Sequence, residues 1–148
     1  QDAMTRGGVD WEAAIVAAHY RLSQAVPPLG ANDGLECRQA WIAAHDGFHD
    51  ALLAAAVSDW LKGFHAQLVE QVQRHHQALL FHSAGSRDPA TEALVQAALS
   101  VARHTALKDV VMARDWPAAE AATRAHIAGS VEIYRGIFTS GLMERQSG

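Results

Sequence analysis

Leu35 to Val57 reads LECRQAWIAAHDGFHDALLAAAV. Its bulky apolar residues and its histidines recur at steps of three and four: Trp41, His45, Phe48, His49, Leu52 and Ala56. That is the period of one face of an α-helix, so a helix is predicted over 35–57. The same period continues on both sides. Trp11 to about Val26 is helical, with Asp10 as its expected cap and Pro27-Pro28 as its stop. After a fresh cap at Ser58-Asp59, a third helix runs from Trp60 to about His82. A fourth covers about Ala90 to Ala113, with Leu94, Ala97, Val101, His104, Leu107 and Val111 on one stripe. Arg114-Asp115-Trp116-Pro117 forms a corner, with Asp115 capping a fifth helix that ends near Phe138; the tail beyond Ser140 is expected to fray. No alternating run of Val, Ile and Thr marks a strand. Residues 1–148 are therefore predicted to form one all-α domain, an antiparallel helical bundle with short connections.

Composition narrows the function. Of 148 residues, 49% are hydrophobic and 19% charged, enough to build a core beneath a solvated surface. The net charge is -4 and lysines and arginines do not cluster, which argues against duplex binding by this segment. Cys37 stands alone, so no internal disulfide forms, and a reducing, cytoplasmic setting is expected. No apolar run reaches membrane-spanning length, so no membrane partner is expected. The chain opens Gln1-Asp2-Ala3 rather than on Met, and is expected to be part of a longer protein. Phosphate-binding glycine loops, Cys-x-x-Cys pairs, Gly-x-Ser-x-Gly and His-Glu-x-x-His motifs are all missing from the sequence.

Nine histidines carry the remaining signal. His45 and His49 stand one turn apart on an apolar face. His104 lies on the apolar stripe of the fourth helix. His126 shares a face with Ala119, Ala122, Gly129 and Ile133, small neighbours that allow a close approach by a helix or a ligand. Two readings fit this spacing. The imidazoles are hydrogen-bonded core residues, or they converge from three helices on one metal ion. His75 and His76 point in different directions and read as a solvated face, while His19, His65 and His82 read as packing or surface.

The order of these motifs resembles the FCD domain, the C-terminal sensor of FadR-like GntR transcription regulators. His45-Asp46-Gly47-Phe48-His49 with Leu52 and Ala55 is similar to its D-x-x-F-H-x-x-L-x-x-A motif, with His45 in place of the Asp. His104 through Asp115 is similar to its H-x-x-i-x-x-A-i-x-x-g-D motif, and Ala118, Ala122, Arg124 and His126 continue the pattern. The resemblance implies a bundle of six or seven helices around a divalent metal held by one Asp and three His. Carried over, His49, His104 and His126 match the three histidines, and His45 falls where the Asp would be. Zinc is the expected ion, with nickel or manganese as alternatives. The resemblance also implies a preceding winged helix-turn-helix domain that carries DNA binding, a homodimer, and a small effector. The stretches Gly8 to Glu12 and Val16 to Ser23 resemble a sub-branch whose sensors often bind small dicarboxylates or hydroxy acids, which implies a di- or hydroxy-carboxylate.

Four neutral imidazoles leave a divalent ion its full charge, which favours an anionic ligand. Arg74, on the third helix, is the candidate cation for a second anionic group of that effector; a solvated Arg74 is the plainer reading. A sensor, not an enzyme, is expected. The alternative, a metal-dependent enzyme or metal-binding protein on a His-rich bundle, lacks a general base beside the histidines.

Overall fold

The computed structural model describes residues 1–29, 34–81 and 89–146, excepting the side chains of 74–81 and 140–146. His82 thus lies outside the described residues, as do the side chains of Arg74, His75 and His76. Among the described residues every regular element is a helix: α1 (Asp2–Arg6), α2 (Val9–Gln24), α3 (Leu35–Leu53), α4 (Asp59–Phe81), α5 (Pro89–Ala98), α6 (Val101–Met112) and α7 (Trp116–Gln146). The all-α expectation holds. No described helix is long and apolar enough to cross a membrane.

α2 forms because Trp11, Ile15, Ala18 and Leu22 fall on one stripe, and all four are buried. The stripe packs on α3 and α6, while α7 packs against α4, α5 and α6. Phe48, Ile15, Leu22 and Val95 are fully enclosed where these helices meet. The Arg114 guanidinium ties the two ends of this layer together. It donates to the carbonyls of Met4 and Gly7 and to the Glu12 carboxylate, and lies 5.5 Å from the Trp11 ring centroid. Arg114 itself sits at φ 55, the left-handed conformation that turns the chain from α6 into α7.

Four boundaries differ from the sequence reading. A short α1 precedes α2, and α2 opens one residue before Asp10, with Gly8 at the cap; Asp10 sits in the first turn, where its charge suits the helix dipole. α3 ends at Leu53 rather than Val57: the Ala54 and Ala56 amides close tighter turns on Ala51 and Leu53, and the Val57 amide donates to the Asp2 carboxylate at 2.7 Å. The predicted fourth helix is two helices. Leu99 and His104 are both buried, yet five residues of unbroken helix would set them about 140° apart. The extended Ser100 between them resolves the conflict and lets each face the core. Finally, the backbone of α7 stays helical to Gln146, past the predicted end. The caps at Ser58 and Asp115 hold: Ser58 Oγ accepts from the Leu61 amide at 3.3 Å, and Asp115 Oδ1 from the Ala118 amide at 3.0 Å.

One face of α4 is uncovered. Trp60, Leu61, Phe64 and Leu68 are all exposed, as is Val57 just before the helix, and the Trp60 and Phe64 rings stack at 5.7 Å.

Candidate metal centre

α3, α6 and α7 bring four imidazoles to one place. Centroid separations are 4.7 Å for His45 and His49, 5.0 Å for His45 and His104, and 5.3 Å for His49 and His104. His126 joins from α7, 5.2 Å from His49 and 4.8 Å from His104. The ligand atoms of His45, His49 and His104 lie within 4.8 Å of one another; His126 flanks that trio. A tetrahedral ion about 2.0–2.1 Å from each nitrogen holds its ligands roughly 3.3 Å apart, so only a modest inward rotation separates this array from a coordinating one.

The rings are held from behind. His104 Nδ1 donates to the Ser100 carbonyl at 3.0 Å, which leaves the lone pair on Nε2. Nε2 is buried and has no hydrogen-bond partner among the described residues, and neither has His126 Nδ1. A buried imidazole nitrogen with no partner is costly in a core, but it is what a metal ligand requires. His45 Nδ1 lies 3.0 Å from Asp46 Oδ1, and the other oxygen of Asp46 accepts from Gln73 on α4. Asp46 therefore stands behind His45 as its orienting carboxylate rather than in the cluster. Trp41 stacks on His45 at 4.9 Å, and Phe48 sets its edge against His49 and His104. The donor set fits zinc or another imidazole-binding divalent ion.

Burial keeps these bases neutral. Desolvation, with repulsion from neighbouring imidazoles or Arg103, lowers His49 to about 2, His104 to about 3 and His126 to about 4 from an ordinary 6.5. In the unfolded chain the same groups protonate near 6.5. Because the folded values are depressed in a base, the unfolded state takes up more protons below that point, and stability falls with pH. The metal-free domain is expected to hold full stability above about pH 6.5 and to lose it progressively towards pH 4 and below. Urea midpoints at pH 7.5 and pH 5 check this; equal midpoints would contradict it.

A cavity of about 280 Å³ opens beside the cluster, reached by His45, His104 and His126 and walled by Trp41, Val72, Ile127 and Val131. Arg103 enters it as well, donating through Nη2 to the His126 carbonyl at 2.7 Å and to Ser130 Oγ at 3.3 Å. A second cavity, of about 360 Å³, meets His49, His65 and His126 amid Met4, Leu52 and Trp116. His65, which reads from the sequence as packing or surface, stands 3.8 Å from the Asp50 carboxylate. His19 packs as expected: its Nε2 donates to Thr105 Oγ1 at 2.9 Å and its ring meets Phe48.

Sequence reasoning missed three contributors. Asp46 is one residue, about 100°, around α3 from His45, and that offset is what places it behind the His45 ring. Gln73 carries no one-dimensional signal. Arg103 was hidden by its place next to His104; the small Gly129 on the facing helix was the available hint. Arg74, the candidate cation from sequence, has no described side chain.

The chain matches the FCD domain family over residues 1–129. It is 27% identical over 135 residues to a protein of Paraburkholderia xenovorans (strain LB400) that bears the name uncharacterized HTH-type transcriptional regulator BphR. That similarity covers 91% of this chain and 50% of the relative, so the chain spans about half the length of the relative it matches. No solved structure matches it. With an all-helical fold and a family match that spans most of its length, this chain belongs to the FCD domain family, the C-terminal domain of GntR-type transcription regulators.

Proposed function

We propose that the domain is the effector sensor of a cytoplasmic transcription regulator. His45, His49, His104 and His126 hold one divalent ion, zinc foremost and nickel or manganese as alternatives, and the ion anchors a small carboxylate. The observation that carries this reading is His104: its Nδ1 proton is committed to Ser100, and its buried Nε2 faces the other imidazoles without a partner. When bound, the ion supplies a Lewis-acidic position for an anionic oxygen. The chain's own residues do the rest. Asp46 and Ser100 fix the tautomers of His45 and His104, and Phe48 and Trp41 keep the rings in place. The cavity beside them gives a small molecule room near the cluster.

The relative's name as an HTH-type regulator supports a DNA-reading partner domain on the same polypeptide, whose geometry effector binding would bias. Regulators of this kind read paired half-sites, and the exposed apolar face of α4 is surface that a second copy would cover. Light scattering is expected to give a homodimer; a monomer at high concentration would count against it. The isolated domain, with net charge -4, is expected not to shift operator DNA.

The test of the metal reading is elemental analysis of untagged protein after chelation and reloading. About one divalent ion per chain is expected, since one such cluster of imidazoles is found among the described residues. Substoichiometric metal after careful reloading would sink the proposal.

A further inference from the structure

The structure assigns the effector's chemical class: we infer that Arg103 is its anion anchor, and that the ligand is a monocarboxylate on an apolar body rather than a dicarboxylate. The inference rests on the sensor reading above and narrows it.

Arg103 reaches the 280 Å³ cavity from α6, one residue before His104, and lies across α7. Its hydrogen bonds use Nη2 alone, to the His126 carbonyl and Ser130 Oγ. A guanidinium has five N–H donors in a fixed fork, so a face of this one is left for a carboxylate. No acidic side chain among the described residues pairs with it. Gly129 makes its position possible: a methyl there would stand 2.7 Å from Arg103 Nη2.

Charge points the same way. Asp46, against His45, sets one negative charge beside the cluster, and Arg103 offsets it. A divalent ion thus keeps its double charge facing the cavity, with a guanidinium at its side. A carboxylate placed between them meets both.

The rest of the cavity offers no cation to a second charge; its other polar groups, Ser130, Tyr134 and the Trp41 indole N–H, which has no partner among the described residues, are neutral. Val72, Ala98, Ile127, Val131 and Trp41 wall it, and Arg103 is the one Lys or Arg among its described lining residues. The second carboxylate of a short diacid would exchange its water for neutral donors at most, with no countercharge beside it, which is costly. An aromatic or short aliphatic body gains from the same walls. The volume lies near the lower end of small-molecule sites, which suits a compact acid.

Calorimetry on the zinc-loaded chain tests this with benzoate, succinate and neutral benzyl alcohol. Benzoate is expected to bind best, and benzyl alcohol weakly. Arg103→Gln should weaken benzoate about tenfold or more, the loss of a charge-assisted hydrogen bond, with zinc content unchanged. Gly129→Ala guards against a merely structural effect. The displaced atom is the far end of a flexible side chain and alanine favours helix, so the variant should fold and melt no lower than the parent while binding benzoate more weakly. Equal benzoate binding by wild type and Arg103→Gln overturns the assignment, and so does zinc-loaded protein that takes no benzoate. A preference for succinate overturns the monocarboxylate class, and would put a second cation such as Arg74 in the cavity. Binding that needs Arg103 but survives chelation upholds the anchor and instead removes the metal from the proposed function.

Discussion

Phe48→Ala is expected to cost about 3–5 kcal/mol of folding stability, the range for truncating a fully buried aromatic ring. Phe48 has no exposed surface, and its ring touches those of His19, His49 and His104. Its removal leaves a cavity behind two candidate ligands as well as in the core. Metal affinity should therefore fall together with stability, because His49 and His104 lose the wall that sets their orientation. Urea unfolding of chelator-treated protein reads the first effect, and zinc titration of the folded variant the second. A loss under about 1 kcal/mol would mean that the bundle closes over the gap, contrary to the packing described.

The second large effect concerns His104, and its sign depends on metal. With zinc about a hundredfold above its dissociation constant, wild type should gain about 2.7 kcal/mol from binding to the folded state. In a domain this size that raises the melting temperature by roughly 5–11 °C. His104→Leu should lose the whole gain. His126→Ala should lose most of it, and both should bind less metal. Metal-free His104→Leu should nevertheless melt no lower than metal-free wild type, since it removes a buried nitrogen that has no partner. A core histidine that serves packing alone would behave in the opposite way: the variant would be weaker without metal, and zinc would not matter. Replacing His75 or His76 should leave metal content unchanged, and loss of metal in either would displace the ligand assignment.

The bundle and its histidines were legible because both are written in helical period. His45, Phe48 and His49 fall on one face of α3, and His104, Leu107 and Val111 on one face of α6, whatever surrounds them. His126 joined the same set through the small residues that share its face of α7, Ala119, Ala122 and Gly129. What period does not encode is the approach of one helix to another. The Gln73–Asp46–His45 chain links α4 to α3, and the Arg103 contacts link α6 to α7; neither has a spacing to betray it. The break at Ser100 was invisible for a related reason. Val101 through Met112 continues a plausible helix from Pro89, and only the demand that Leu99 and His104 both reach the core forces a restart. Arg103 shows the limit most sharply: a charged residue beside a motif histidine reads as surface until Gly129 is seen making room for it.

From sequence alone, four imidazoles around a divalent ion suggested an anion-seeking site by simple count. In the fold, Asp46 and Arg103 offset each other near the cluster, so the attraction depends on Arg103 as much as on the exchange of Asp for His at position 45. Succinate and benzoate therefore separate two ideas that the sequence ran together, the pull on an anion and the number of anionic groups.

Anomalous diffraction at the zinc edge, from crystals of untagged and zinc-reloaded protein, tests the central claim most directly. One peak is predicted, about 2.0–2.1 Å from imidazole nitrogens that include His104 Nε2, with His45, His49 and His126 around it. No peak among these four residues, or a peak on His65 or His19 instead, would contradict the account.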